Sequence, residues 1–189
     1  MESSRRDVLQ AALKDPDQAV QHAAAEALDL LDRYYGLDRI EEKLVSGSRQ
    51  DRIAAIYVLQ SLDCSASNAL LMLALNDEDA DVQAVAVQVV GGKQLPEALP
   101  VLVQCLKSEA VTVAVYAAEA LGGYADERLI PYLQAICSRP SEELLCAALS
   151  ALGRLGFVKS EAFICGYVHD LRSQVRCAAV RALGQLQHL

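Results

Sequence analysis

Residues 175–184 read Val-Arg-Cys-Ala-Ala-Val-Arg-Ala-Leu-Gly, and variants of this stretch return along the chain at a constant interval. The interval is 31 residues, as shown by the series Leu28, Leu59, Val90, Leu121, Leu152 and Leu183. Two further series have the same spacing: Ala24, Ala55, Ala86, Ala117, Ala148 and Ala179, and Leu9, Ile40, Leu71, Leu102, Leu133 and Ile164. A fixed period of about 20–50 residues is typical of stacked repeat proteins.

The repeat predicts one continuous domain of six units, with approximate bounds 1–31, 32–62, 63–93, 94–124, 125–155 and 156–189. In the last unit, apolar residues recur at helical spacing over 163–168 and again from Val175 onward. A short polar segment separates the two helices, here called helix A and helix B. Side chains of such segments, for example Asp77 and Asp79, suit the N-cap of helix B. We therefore predict an all-α solenoid of two-helix repeats.

Glycine and proline also follow the repeat. Gly91, Gly122, Gly153 and Gly184 share one position near the end of helix B, where they are expected to end or loosen it. Pro100 and Pro131 share a position in helix A, and we expect them to bend that helix and curve the stack.

Composition limits the classes of partner. The net charge of −8 and the pI near 4.9 argue against a nucleic-acid-binding protein, since phosphate backbones select clustered Lys and Arg. Two local basic clusters are interpreted as solvated or protein-binding faces: Arg33, Arg39, Lys43, Arg49 and Arg52 in the second unit, and Arg172, Arg176 and Arg181 in the last. No apolar stretch approaches the roughly 18 residues of a membrane span, and no secretory signal follows the start.

Six cysteines without a Cys-x-x-Cys pair are typical of free thiols in a reducing compartment, and we expect a cytoplasmic protein. Cys105 and Cys137 fall at or beside apolar positions of helix A and are expected to act as small hydrophobic residues. Residues 77–81, Asp-Glu-Asp-Ala-Asp, lack the glycine and the distal glutamate of a calcium-binding loop. The sequence predicts no catalytic, cofactor or metal site.

Residues 175–184 and their counterparts at 20–28, 113–122 and 144–153 resemble the core of HEAT-like repeats of the phycobilisome-lyase type. The resemblance covers essentially the whole chain and implies a right-handed solenoid whose B helices line the inner, concave surface. Related deoxyhypusine hydroxylases carry His-Glu pairs that bind iron, but no Glu follows His22, His169 or His188. Phycobilin lyases, which attach a tetrapyrrole to a cysteine of an antenna protein, offer no short motif that would identify them.

A binding surface is predicted on helix B, with positions numbered as in the first unit. At 100° per residue, positions 22, 25 and 26 lie opposite or beside the core stripe. Position 22 is mostly apolar, and position 25 also fits the flank that packs on the next B helix. The predicted concave-face residues are Ile53, Ile56, Tyr57, Val87, Gln88, Val115, Glu119, Cys146, Leu149, Cys177 and Arg181.

These residues predict a non-catalytic scaffold or adaptor that binds a helix or extended segment of a partner protein in the concave groove. The alternative is a phycobilin lyase subunit or a related factor for antenna proteins. Helix B of the last unit matches the repeat pattern closely and has no polar cap. Either the chain is cut from a longer one, or this end docks on a partner or on another copy of the chain, and we expect docking.

Overall fold

The computed structural model describes residues 2–186, except for the side chains of residues 2–4 and 33–35. These residues form helices and turns without a strand. The helices are α1 (Glu2–Ala12), α2 (Gln18–Ser46), α3 (Arg49–Gln60), α4 (Ser65–Ala74), α5 (Ala80–Lys93), α6 (Leu99–Cys105), α7 (Val111–Leu121), α8 (Ile130–Ile136), α9 (Glu142–Leu155), α10 (Glu161–Cys165) and α11 (Ser173–Leu183). Among the described residues, no helix combines the length and apolar character needed to cross a lipid bilayer.

The helices alternate as the repeat predicts. Helix A of a unit is α1, α4, α6, α8 or α10, and helix B is α3, α5, α7, α9 or α11. Leu71, Leu102, Leu133 and Ile164 of the A helices are fully buried, as are Leu59, Val90, Leu121 and Leu152 of the B helices. One continuous core therefore runs between the A and B layers.

The first two units depart from this alternation. Helix B of the first unit and helix A of the second are one 29-residue helix, α2. The position that holds Gly91, Gly122 and Gly153 in later units is Asp29 here, and the helix continues through it to Ser46. As a result, residues 18–32 do not stack beside α3. Val58 of α3 is 47% exposed, although its counterparts Ala120, Ala151 and Ala182 are at most 8% exposed.

The glycine series also serves the packing of consecutive B helices. A Cβ on Gly91 would lie 2.4 Å from the Cβ of Ala120, and a Cβ on Gly122 would lie 2.8 Å from the Cα of Ala151. Gly153 meets Ala182 in the same way. The missing side chains let α5, α7, α9 and α11 approach closely. Gly122 also ends its helix as expected, since it is the C-cap of α7, whereas Gly91 and Gly153 lie within the last turn of α5 and α9.

The prolines of helix A are placed differently from the prediction. Pro100 and Pro131 are each the second residue of their helix, α6 and α8. In the first turn an N–H has no acceptor within the helix, so a proline there removes no hydrogen bond and imposes no bend. A short 3-10 turn precedes each of these helices, at Pro96–Ala98 and Glu127–Leu129.

Candidate protein-binding cleft

A cleft of about 840 Å³ lies over the B helices α7, α9 and α11. The glycine–alanine pairs described above allow these three helices to pack closely. Its lining comes from three consecutive turns of α9 and from the facing sides of α7 and α11, and includes Val115, Glu119, Cys146, Ala147, Cys177 and Arg181.

Small and apolar side chains form the floor of the cleft. Val115 is 6% exposed and Ala147 is 7% exposed, while Cys146 is half-buried and Cys177 is exposed. Cys146 and Cys177 hold equivalent positions on α9 and α11. Burial, followed by the nearby Glu142 carboxylate, raises the pKa of the Cys146 thiol, so this thiol stays protonated at neutral pH. The floor therefore presents a neutral surface.

Carboxylates dominate the rim. Glu119 on α7 and the neighbouring Glu142 and Glu143 at the start of α9 all line the cleft. None of the three makes a side-chain hydrogen bond or ion pair within the described residues. Arg181 is the one arginine that lines the cleft, and it is exposed on α11. The rim carries three negative charges and one positive charge.

The nearby Arg154 makes no ion pair with these carboxylates, and its guanidinium lies at the carbonyl end of α7. Its Nη2 donates a hydrogen bond of 2.7 Å to the backbone carbonyl of Glu119, near the end of α7. A cation at a helix C-terminus satisfies a carbonyl that lacks an intrahelical partner.

A second, smaller cleft of about 240 Å³ adjoins the first at Glu119. It lies beside the ends of α5 and α7 and is lined by Gln88, Gly92 and Tyr116. At the edge of this smaller cleft, Nε2 of Gln94 donates a hydrogen bond of 2.9 Å to the backbone carbonyl of Gly123. The two clefts extend the concave surface from α5 to α11.

The structure brings five of the predicted residues together in the main cleft: Val115, Glu119, Cys146, Cys177 and Arg181. Gln88 lines the smaller cleft. Ile53, half-buried, and Tyr57, which is 51% exposed, lie on α3, outside both clefts.

Three predicted residues belong to the core instead. Ile56, Val87 and Leu149 have no exposed surface. All hold position 25, which faces the following unit, and the next helix covers it. Their prediction as concave surface is wrong because close packing between B helices buries the flank that an isolated helix would expose.

The sequence prediction missed residues at positions 18, 19 and 23. Glu142, Glu143 and Gln174 come from positions 18 and 19, and Ala147 and Ala178 come from position 23. Positions 19 and 26 are both exposed in all six units. Positions 19 and 26 are seven residues apart, two turns of one helix face, and this spacing was the available signal.

Within the described residues, no group of three or more His, Cys, Asp or Glu side chains is arranged to hold a metal ion. The lining of the cleft combines a neutral floor with a rim of carboxylates.

Comparison with known proteins agrees with this fold. Residues 67–144 match the HEAT repeats family. The complex of CpcE and CpcF of phycocyanin lyase from Nostoc sp. PCC7120 matches with 25% identity and a TM-score of 0.70, over 81% of this chain and 65% of that one. The chain thus spans about two thirds of the length of that structure. No curated protein matches the chain.

Two engineered structures share the fold at lower identity. One is an engineered protein with 19% identity and a TM-score of 0.61, covering 96% of both chains. The other is a designed armadillo repeat protein in complex with the peptide (KR)4, with 18% identity, a TM-score of 0.61 and coverage of 96% and 99%. The predicted all-α solenoid and its resemblance to HEAT-like repeats of the phycobilisome-lyase type are confirmed.

Proposed function

We propose that the protein is a non-catalytic scaffold that binds a basic segment of a partner protein along the concave surface of its B helices. The observation that carries this proposal is the main cleft over α7, α9 and α11, with three carboxylates on its rim and no ion pair to neutralise them among the described residues.

The floor and rim divide the recognition between them. Val115, Cys146 and Ala178 offer apolar and neutral contact to the body of a peptide. Glu119, Glu142 and Glu143 attract Lys or Arg side chains, whose ammonium and guanidinium groups reach outward on long stems. The overall charge of −8 adds to the attraction at long range and speeds association.

A labelled octapeptide of alternating Lys and Arg is the probe, with fluorescence anisotropy as the readout at low salt. Changing Glu119, Glu142 and Glu143 together to Gln is expected to weaken binding about tenfold, since exposed ion pairs contribute roughly 0.5 kcal/mol each. The matched control changes Glu41, Glu42 and Glu161 to Gln, which alters the net charge equally but lies outside the cleft.

Two results would reject the basic-segment proposal. One is the absence of peptide binding by the unmodified protein. The other is an equal loss in the cleft variant and the control variant, which would show that only the overall charge attracts the peptide.

A phycobilin lyase subunit is the second candidate, and the match to the CpcE and CpcF complex favours it. The cleft volume falls in the range of small-molecule sites, about 300–1,000 Å³. Titrating a bilin into the protein and recording the visible absorption spectrum tests this function. A saturable spectral shift that is lost when Cys177 and Ala178 are changed to Tyr would support it, and an unchanged spectrum would reject it.

A further inference from the structure

The interface between consecutive B helices follows a simple pairing rule. A glycine at position 29 receives an alanine at position 27 of the next unit. The structure shows three such pairs: Gly91 with Ala120, Gly122 with Ala151, and Gly153 with Ala182. No residue larger than glycine fits at position 29 at this distance, because a Cβ placed there overlaps the alanine.

Among residues 2–186, which the structure describes, one glycine and one alanine of this pattern have no counterpart in the pairing. Gly184 holds position 29 in α11, and a Cβ there would meet only the backbone of its own helix, at 3.5 Å or more. Ala27 holds position 27 in α2 and is only half-buried. The first two junctions between units do not have the glycine–alanine pair. The first has Asp29 and Val58 at these positions, and the second has Gln60 and Val89. The two unmatched halves of the pattern therefore lie at opposite ends of the described structure.

Apolar residues around both halves are uncovered compared with their counterparts. Val180 is 59% exposed, whereas Val87, Ala118 and Leu149 at the same position are fully buried. Val20 is 39% exposed, whereas Val82, Val113 and Leu144 are fully buried. Each of these two residues therefore exposes apolar surface that is covered at the same position in the inner units.

The two ends also carry opposite charge. Helix α11 contains Arg176 and Arg181 and no acidic residue. Residues 18–32 of α2 contain Glu26, Asp29 and Asp32 and neither Lys nor Arg. Arg181 and Glu26 share position 26, so a continued stack would bring them onto neighbouring helices.

We propose that the protein associates head to tail with a second copy of itself, with Ala27 of one copy seated on Gly184 of the other. The contact continues the B-helix interface that already joins α5, α7, α9 and α11. Because the two surfaces differ, the association is heterologous. Each added copy exposes a new free end, so the copies form either a closed ring or an open chain.

Sedimentation velocity of the purified full chain over a concentration series tests this proposal. We expect the average mass to rise with concentration above the 20.4 kDa of one chain. High salt should reduce the association, because the two ends attract each other through exposed charges. A constant mass of 20.4 kDa at every concentration would overturn the proposal.

Two blocking variants distinguish the arrangement of the copies. Gly184→Leu blocks the surface at the α11 end, here called the tail. The Cβ of the new side chain makes only ordinary contacts within its own helix. Ala27→Gln blocks the surface at the α2 end, here called the head. Each variant alone should remain a single chain, and an equal mixture should form a species of twice the mass, because one intact head then meets one intact tail. Gly92→Leu is the matched control, since nothing lies within 4 Å of a Cβ at Gly92.

Other occupants of these surfaces give different results. If Ala27→Gln still associates while Gly184→Leu does not, the tails bind each other and the head-to-tail arrangement is wrong. If neither variant reduces the association of the full chain, another surface is responsible. Circular dichroism of each variant establishes that the loss of mass does not come from unfolding.

Discussion

The guanidinium of Arg52 lies against the carboxylate of Asp77, with 2.9 Å between Nε and Oδ2 and 3.1 Å between Nη2 and Oδ1. Arg52 belongs to α3, and Asp77 belongs to the turn before α5, where it also accepts a hydrogen bond from the amide of Asp79. Both side chains are largely withdrawn from solvent, at 16% and 9% exposure. This pair joins the second and third units, α3 and α5, whose junction has no glycine–alanine pair.

Changing Arg52 to Ala is expected to lower the free energy of unfolding by about 1.5–3 kcal/mol, because Asp77 then stays largely buried without its charged partner. Urea unfolding followed by circular dichroism measures the change. Arg128→Ala is the control, because Arg128 pairs with Asp126 but is 86% exposed. An exposed pair contributes roughly 0–1 kcal/mol. Equal losses in the two variants would contradict the structural role of the Arg52–Asp77 pair.

Adding one methyl group at Gly153 should destabilise the fold. In Gly153→Ala the new Cβ would lie 2.5 Å from the Cα of Ala182, which belongs to backbone and cannot rotate away. We expect a loss of about 1–3 kcal/mol in thermal or urea unfolding. The same change at Gly92 has open space and should stabilise α5 by up to about 1 kcal/mol. Opposite signs at the two sites are the expected outcome.

The free energy of unfolding should depend on pH in the acidic range through Asp170 in the last unit. The backbone amide and guanidinium of Arg172 both donate to Asp170 and lower the pKa of that carboxyl to about 2, from an ordinary value of 3.8. Because the folded-state pKa is below the unfolded one, the contribution is complete above about pH 4 and is lost as the pH falls toward 2. Asp170→Asn should remove this part of the pH dependence in urea unfolding, whereas Asn at the exposed Asp38 should not.

The six thiols should differ in their reaction with a thiol-specific reagent. Cys64, Cys165 and Cys177 are exposed and should react in the native protein, whereas Cys105 and Cys137 are buried and should react only after unfolding. Hydrogen bonds from the side chain and the amide of Ser67 lower the pKa of Cys64. Burial raises the pKa of Cys137 to about 12.

A larger thiolate fraction at neutral pH makes Cys64 the fastest of the exposed thiols. Cys64→Ser should therefore remove the fastest phase of the time course, and Cys165→Ser should leave that phase unchanged. Persistence of the phase in the Cys64 variant would contradict the role of Ser67.

The sequence was sufficient to predict the helices and their core, because the series that ends in Leu183 and Ala179 follows one register without insertion. It was insufficient for the surface of helix B. A helical wheel treats each helix in isolation, whereas Val115 is covered by the neighbouring helices that glycine admits at close range. Which residues are exposed depends on the distance between helices, and that distance is set by pairs far apart in sequence.

The continuous α2 shows a second limit of the repeat. Its register is intact, yet Asp29 stands where later units have glycine, and one helix forms in place of two. The connection between the first two units thus differs from the later ones although the interval is unchanged. The departures from the consensus, rather than the consensus itself, indicated where the structure differs.

The glycine–alanine pairs have a consequence for how such a chain can grow. Since Gly122 receives Ala151 as Gly91 receives Ala120, the 31 residues between one such pair and the next form a block whose front fits its own back. A duplication of residues 94–124 in the gene would add one B helix to the concave surface while every junction kept a partner it already has. Evolution could therefore lengthen the groove in whole steps, matching it to longer ligands without remaking the core.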